Sequence, residues 1–310
     1  LPRRLLVHRL AAPRPSRPAP SRPDGLALKS RLDASLLSVL ILAATPIGNL
    51  SDASPRLIAA LTESEVIACE DTRNLSHLAK ALGVHLRAKL ISLHDHNERD
   101  ELSRIIELAK SKDVLLVSDA GMPTISDPGY NLVRAASDAG IEVSVIPGPS
   151  AVISALAISG LATDRFSFEG FLPRKSGERK KLFESLAREG RTMIFFETPH
   201  RILEALEDAA SVLGPDRQGA VVRELTKKFE EAQRGTIGEL IDWAKSEPRG
   251  EMVLLIAGAT AQEHDYEELA KKALLLATEG MGMKAAAAEL AKATGASKSV
   301  IYEHALRLKA

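Results

Sequence analysis

The sequence predicts an α/β protein made of two successive α/β domains and a small helical segment near its C-terminal end. Three observations lead there. Short apolar runs alternate with amphipathic stretches at the spacing of βαβ units. The alternation begins afresh after about residue 163. The final stretch, "MKAAAAELAKATGASKSVIYEHALRLK" (283–309), reads as helix, glycine-containing turn and helix. The expected division is 1–37 as an extension, 38–162 and 163–262 as α/β domains, and 263–310 as the helical segment.

The first strand is expected in "LLSVLILAAT" (36–45). After a basic segment such a run also suits the apolar core of a signal peptide. It is too short for a transmembrane helix, which needs about 20 apolar residues. The adjoining stretch, "TPIGNLSDASPRLIAAL" (45–61), is a turn and an amphipathic helix rather than a cleavage site, and this favours the strand. Further strands are expected at 65–69, 89–93, 113–117 and 141–146, with helices at 54–62, 72–82, 98–111 and 129–139. This pattern gives a mostly parallel sheet with right-handed crossovers. In the second domain, strands at 166–171, 192–197, 218–223 and 252–257 alternate with helices at 176–189, 199–213 and 236–246.

Composition sets limits on function. The chain has 310 residues, 45% hydrophobic and 26% charged, and enough length for two cores. Cys69 is the single cysteine, so an intrachain disulfide and a cysteine metal cluster are excluded. A net charge of zero conceals an uneven distribution, with residues 1–35 carrying seven Arg and one Lys against two Asp. Nucleic-acid binding would therefore use local basic patches. The segment "LPRRLLVHRLAAPRPSRPAPSRPDG" holds six of the sixteen prolines, shows no period and reads as unstructured. A targeting peptide, a nucleic-acid-binding arm and a dispensable extension all suit it.

Ligands of parallel α/β sheets bind beyond the carboxyl ends of the strands. The unusual loops fall there: 45–52, 70–74, 94–98, 118–129 and 147–151. The stretch "LLVSDAGMPTISDPGY" (115–130) passes from an apolar strand into a loop dense in glycine, proline and carboxylate. Glycine admits close backbone approach to a ligand, and small residues at 120–121 suit an adenosine-sized group. "PGPSA" (147–151) sets Ser150 at a helix start, suited to a carboxylate or hydroxyl. One such loop alone is better read as a capped turn; several at one sheet edge favour a ligand site. Neither GxxxxGK[ST] nor a strand-following GxGxxG occurs, which argues against triphosphate and ordinary dinucleotide binding. His94 and His96 in "LHDHNE" lack a clear third ligand, so polar lining of a site outweighs metal binding.

Eight motifs occur in order: "ATPIGNLSD" (44–52), "ACEDTRNLSHL" (68–78), "LHDHNE" (93–98), "SDAGMPTISDPGYNLV" (118–133), "IPGPSA" (146–151), "FEGFLPRK" (168–175), "FFETPHR" (195–201) and "RELTKKFEE" (223–231). Together they resemble the ribosomal RNA small subunit methyltransferase I family, within the tetrapyrrole (corrin/porphyrin) methylase fold. The resemblance spans about 38–310. It implies S-adenosylmethionine as cofactor, in a cleft between the two domains, and methylation of the ribose 2′-hydroxyl of a cytidine in 16S rRNA of the small ribosomal subunit. A homodimer and a cytoplasmic location go with it; no membrane or metal is expected.

The resemblance carries cofactor contacts to Pro46, to Asp119, Ala120, Gly121, Met122 and Ile125, to Ser150 and Ala151, and to Glu197 and Leu225. The first loop, Thr45-Pro46-Ile47-Gly48-Asn49, departs from the fuller GxGPGD of the corrin enzymes, as the RNA-methylating branch does. Met122 stands where that branch has Thr, which leaves a backbone contact as the expectation there. A sugar hydroxyl is a weak nucleophile, so a general base is expected among Glu70, Asp71, His94 and Asp127. Asp71 also suits an N-cap of the helix after it. Arg73 and Arg223 are candidates for an RNA phosphate. So are Arg174, Lys175, Arg179 and Lys180 in the basic stretch "PRKSGERKK" (173–181), which also suits a solvated helix start. The C-terminal helices suit either RNA contact or packing. A tetrapyrrole methyltransferase on the same fold is the alternative, and EDTR, LHDHNE, RELTK and the basic loop weigh against it.

Overall fold

The computed structural model describes residues 38–94, 98–259 and 265–309. The chain forms two compact units, Leu1–Ser150 and Ala151–Ala310. The basic extension 1–37 lies outside the described residues.

The first unit is a parallel five-stranded sheet in the order β3-β2-β4-β1-β5. The strands are β1 (Val39–Ala43), β2 (Val66–Cys69), β3 (Lys89–Ser92), β4 (Val114–Val117) and β5 (Glu142–Ile146). Inner strands of such a sheet are covered on both faces and read as unbroken apolar runs. VLILA, VIAC and VLLV are the three inner strands, and nearly every residue in them is buried. Alternate side chains divide between two cores. Leu40, Leu42, Val66, Ala68, Val114 and Leu116 meet α3 (Glu98–Ala109) and α4 (Tyr130–Asp138). Ile41, Ala43, Ile67, Cys69, Leu115 and Val117 meet α1 (Pro55–Glu63) and α2 (Thr72–Ala81). Ser54 caps α1 by accepting from the Leu57 amide at 3.0 Å, with Pro55 at the first helical position.

This arrangement creates a switch point. β1 and β4 are hydrogen-bonded neighbours, yet the helices after them in the chain, α1 and α4, lie on opposite faces of the sheet. A crevice forms beyond the carboxyl ends of two strands related in this way.

The second unit has a mixed sheet, β6-β7-β10-β8-β9. Its strands are β6 (Phe166–Phe171), β7 (Thr192–Glu197), β8 (Gln218–Arg223), β9 (Glu231–Thr236) and β10 (Met252–Ile256). β10 runs antiparallel between β7 and β8, and β9 forms a hairpin with β8. α5 (Ala151–Ser159) packs on β8, β9 and β10. It therefore belongs with this sheet, which moves the division from the expected residue 162 back to Ser150. α6 (Ser176–Leu186), α7 (Ile202–Leu213) and α8 (Ile237–Ala244) share a core with Met193, Phe195, Val221 and Leu254. α9 (Tyr266–Thr278), α10 (Met283–Thr294) and α11 (Lys298–Lys309) close a separate small core around Ala270, Ala273, Ala287 and Ile301. Among the described residues no helix is long and apolar enough to cross a membrane.

Arg179, expected at the surface, has a side chain only 1% exposed. It donates from Nε to Asp208 Oδ2 at 2.7 Å and from Nη1 to the carbonyls of Pro173 (3.2 Å) and Arg174 (3.3 Å). Ser176 Oγ donates to the other Asp208 oxygen at 2.8 Å. Burial works against the charged carboxyl, but the hydrogen bonds from Ser176 and Arg179 outweigh it and hold Asp208 below the usual carboxylate range. Removing one partner of a buried ion pair leaves the other uncompensated. Asp208→Ala is therefore expected to cost about 3–5 kcal/mol in urea unfolding. Because the Asp208 pKa is depressed on folding, its contribution is present above the unfolded value and is lost as pH falls through the folded one. An unchanged urea midpoint would contradict this assignment.

Candidate functional site

At the switch point the two loops are joined by backbone. Thr45 N donates to Gly121 O at 2.9 Å and Gly121 N to Thr45 O at 3.1 Å. Their side chains continue the link: Thr45 Oγ1 donates to Ser118 O at 3.3 Å and Ser118 Oγ to Gly121 O at 3.1 Å. Thr45 and Ser118 are buried, so this polar network is satisfied internally and fixes the rim. Gly121 adopts φ +83°, and a Cβ there would press on Ile47 Cγ2 at 3.3 Å. Both the conformation and the space call for glycine.

The chain beyond Gly121 is strained. Thr124 (φ 76°) and Ser126 (φ 63°) sit in the left-handed region. In the second unit Glu224 (φ 50°) and Thr226 (φ 65°) do so in the turn after β8. Among the described residues only Glu247 joins them. Such conformations cost of order 1–3 kcal/mol each and cluster at ligand sites. Both loops are ones that the family resemblance marks for cofactor contact. The Thr226 hydroxyl is buried without a hydrogen-bond partner among the described residues, and it adjoins buried Leu225.

Two further side chains, Glu98 and Asn74, fasten the first-unit loops, and neither was given an individual role in the sequence. Glu98 is buried; its Oε1 accepts from Gly129 N at 3.2 Å and its Oε2 from Asn131 Nδ2 at 2.7 Å. Asn74 donates to Asp119 Oδ2 at 2.6 Å, while the Asp71 amide donates to Asp119 Oδ1 at 3.2 Å. Asp119 thus ties the end of β4 to the start of α2. Both lie inside quoted motifs, Glu98 in "LHDHNE" and Asn74 in "ACEDTRNLSHL", but residue type and spacing gave neither a role of its own.

The candidate bases separate. Asp71 caps α2, its Oδ1 accepting from Arg73 N at 2.8 Å, and both its oxygens engage the Arg73 guanidinium. The Arg73 hydrogen bonds hold the Asp71 carboxyl at about 2. So weak a base accepts a proton poorly near neutrality, and the bonds Asp71 makes here are those of the helix cap. Glu70 and Asp127 are half-buried, and His94 is exposed at the end of the β3 segment. His96 lies outside the described residues. Among those described, no group of three or more His, Cys, Asp or Glu is placed to hold a metal ion.

Among the cofactor candidates, Pro46 is buried, Met122 packs on the α3/α4 core, and Asp119, Ala120 and Ile125 are exposed. Ser150 is half-buried and Ala151 opens α5. Glu197 is fully buried as a side chain; it binds Arg201 Nη2 at 2.8 Å and accepts from Thr198 N at 2.8 Å. Its carboxylate is thereby committed to its own unit.

The basic candidates also divide. Arg179 holds the loop before α6 from within and is removed from the surface set. Arg223 is paired with Glu231 at 2.5 Å and donates to Arg249 O at 3.2 Å. Lys180 lies 3.4 Å from Asp208. Arg73 is 84% exposed despite its bond to Asp71, so part of its donor fork faces outward. Arg174 and Lys175 are exposed.

Residues 39–241 match the model of the Tetrapyrrole (Corrin/Porphyrin) Methylases, and residues 263–309 that of the RsmI C-terminal HTH domain. The chain is 43% identical to the Ribosomal RNA small subunit methyltransferase I of Escherichia coli O157:H7, over 86% of this chain and 94% of that protein. It is 45% identical to the protein of that name from Pseudomonas aeruginosa, over 86% and 96%. Among solved structures it is similar to a diphthine synthase, with a TM-score of 0.55, 16% identity, and coverage of 72% of this chain and 91% of that one. This structural likeness speaks for the fold, and the sequence identities speak for the family. On that ground the chain belongs to the ribosomal RNA small subunit methyltransferase I family of the tetrapyrrole methylases.

Proposed function

We propose that the chain methylates the ribose 2′-hydroxyl of a cytidine in 16S rRNA of the small ribosomal subunit, with S-adenosylmethionine as methyl donor. The observation that carries this reading is the Thr45–Gly121 backbone pair at the switch point, leading into a strained loop of small residues. The residues present fit the cofactor. In the first unit, Gly121 and Ala120 present backbone without bulky side chains beside Pro46 and exposed Ile125, which suits close approach of an adenosine. In the second unit, taken by itself, Thr226 has a buried hydroxyl without a hydrogen-bond partner among the described residues, next to Leu225. When bound, the cofactor supplies an electrophilic methyl group on a sulfonium.

The chain's own contribution is placement and proton removal. Holding a ribose in fixed alignment supplies a large part of such a rate. His94, exposed just beyond the carboxyl end of β3, is assigned first as acceptor of the 2′-hydroxyl proton, with half-buried Asp127 and Glu70 after it. Arg73, Arg174, Lys175 and Lys180 are assigned to backbone phosphates. A homodimer acting on small subunits in the cytoplasm completes the reading, supported by the family alone.

The test is methyl transfer from labelled S-adenosylmethionine to small subunits that lack the modification. The expected product is a methylated cytidine whose 3′ linkage resists alkali, since a capped 2′-oxygen cannot attack the phosphate. Absence of label in rRNA, with cofactor binding intact by calorimetry, would sink the RNA reading and favour a small-molecule acceptor.

Asp71 gives a second, sharper outcome. A carboxyl held at about 2 does not titrate between pH 5 and 9. Asp71→Asn is therefore expected to leave the shape of the kcat/KM–pH profile in that window unchanged. An Asp71→Asn profile that lost its acidic limb would return Asp71 to the role of base.

A further inference from the structure

β6 departs from regular pairing just before the basic loop. Phe168 pairs with Ile194, but the next registered pair is Phe171 with Phe196, so β6 has one residue more than β7 across this interval. Gly170 sits inside it at φ +75° with open space around its missing Cβ, so conformation rather than crowding calls for glycine. A bulge of this kind reverses the facing of the side chains beyond it. Here it puts Phe171 on the same face as Phe168, and both rings meet Phe196 edge-on, at 5.3 Å and 4.9 Å between centroids. Leu172 then turns into the α6/α7 core. The Phe171 ring is braced on one side and remains 59% exposed.

The backbone after Phe171 is equally fixed. Arg201 Nη2 donates to the carbonyls of Leu172 (2.7 Å) and Pro173 (3.4 Å), and Arg179 Nη1 donates to those of Pro173 and Arg174. Two largely buried guanidinium groups therefore hold the loop from beneath. Arg174 and Lys175 project from its outer side, Lys175 with its side chain 81% exposed and only a surface pair to Glu178 at 3.3 Å. An exposed aromatic ring beside cationic side chains on a held backbone is a combination that binds single-stranded nucleic acid, through base stacking and phosphate contact.

We propose that Phe171 is a base-stacking platform for an unpaired RNA nucleotide, with Arg174 and Lys175 holding the adjoining phosphates. This rests on the RNA-methylating function proposed above and adds a recognition residue to it. An apolar contact with a second copy of the chain is the competing use of an exposed phenylalanine, but the two adjoining cations favour a polyanion.

The test uses the full chain and a single-stranded RNA oligonucleotide carrying 2-aminopurine, whose fluorescence falls on stacking. Wild-type protein is expected to quench the probe. Phe171→Ala and Phe171→Leu are expected to weaken binding about tenfold or more and abolish the quench, and Phe171→Trp to retain both. Arg174→Ala and Lys175→Ala are each expected to reduce the slope of log affinity against log salt by about 0.7, which Phe171→Leu leaves unaltered. Phe171→Leu keeps the apolar bulk, so a folding defect does not imitate the loss of stacking. Wild-type affinity and quenching in Phe171→Leu would overturn the proposal, as would Phe171 variants that halve the mass in sedimentation with RNA affinity per protomer unchanged. Methylation of small subunits by the wild type, measured in parallel, separates the two claims. Methylation with Phe171 variants indistinguishable from wild type ends this proposal alone, whereas no RNA binding or methylation by the wild type ends both.

Discussion

The backbone pair between Thr45 and Gly121 is the constraint on which the first unit's site depends. It exists because β1 and β4 are neighbours whose connections leave on opposite faces of the sheet. Two loops that would otherwise diverge are brought edge to edge. The hydroxyls of Thr45 and Ser118 satisfy the carbonyls that the junction buries. With the rim fixed, the segment beyond it can sustain left-handed backbone at Thr124 and Ser126. Strain of this kind persists only where the surroundings over-determine it. Glu98 and Asp119 supply that over-determination, binding the loop at Gly129 and at the start of α2.

The second unit uses buried charge for the same purpose. Arg179, buried, and Arg201, largely buried, hold the carbonyls of 172–174 in place and are neutralised by Asp208 and Glu197. Such pairs add little net stability, since desolvation offsets attraction. Their use lies in fixing one conformation of a loop whose outer side chains are cationic. A held backbone gives those side chains a defined point of attachment on the surface.

Much of this was legible in the residues. VLILA, VIAC and VLLV betray doubly covered strands because burial on both faces leaves no room for polar alternation. The unusual loops fell at one sheet edge because a parallel sheet puts all its strand ends there. β9 escaped notice because "EAQRGT", a half-buried strand on the sheet edge, carries no apolar run. The reversed direction of β10 was not readable either, since an apolar run of five carries no sign of polarity. Individual roles failed where charge type was visible but burial was not. Arg179 resembled its exposed neighbours Arg174 and Lys175 in a basic string, and only packing against α7 separates them. For Asp71 the residues allow both cap and base, and spacing alone does not reveal its bonds to Arg73.

In the proposed reading the rim joined at Thr45 and Gly121 receives the methyl donor. Hydrogen exchange of the full chain with and without S-adenosylmethionine tests it directly. Slower exchange is expected in peptides covering 119–126 and 148–151, the loops assigned to the cofactor, with the strand interiors unchanged because they are already protected. Saturating cofactor that slowed exchange elsewhere and left 119–126 untouched would contradict the account.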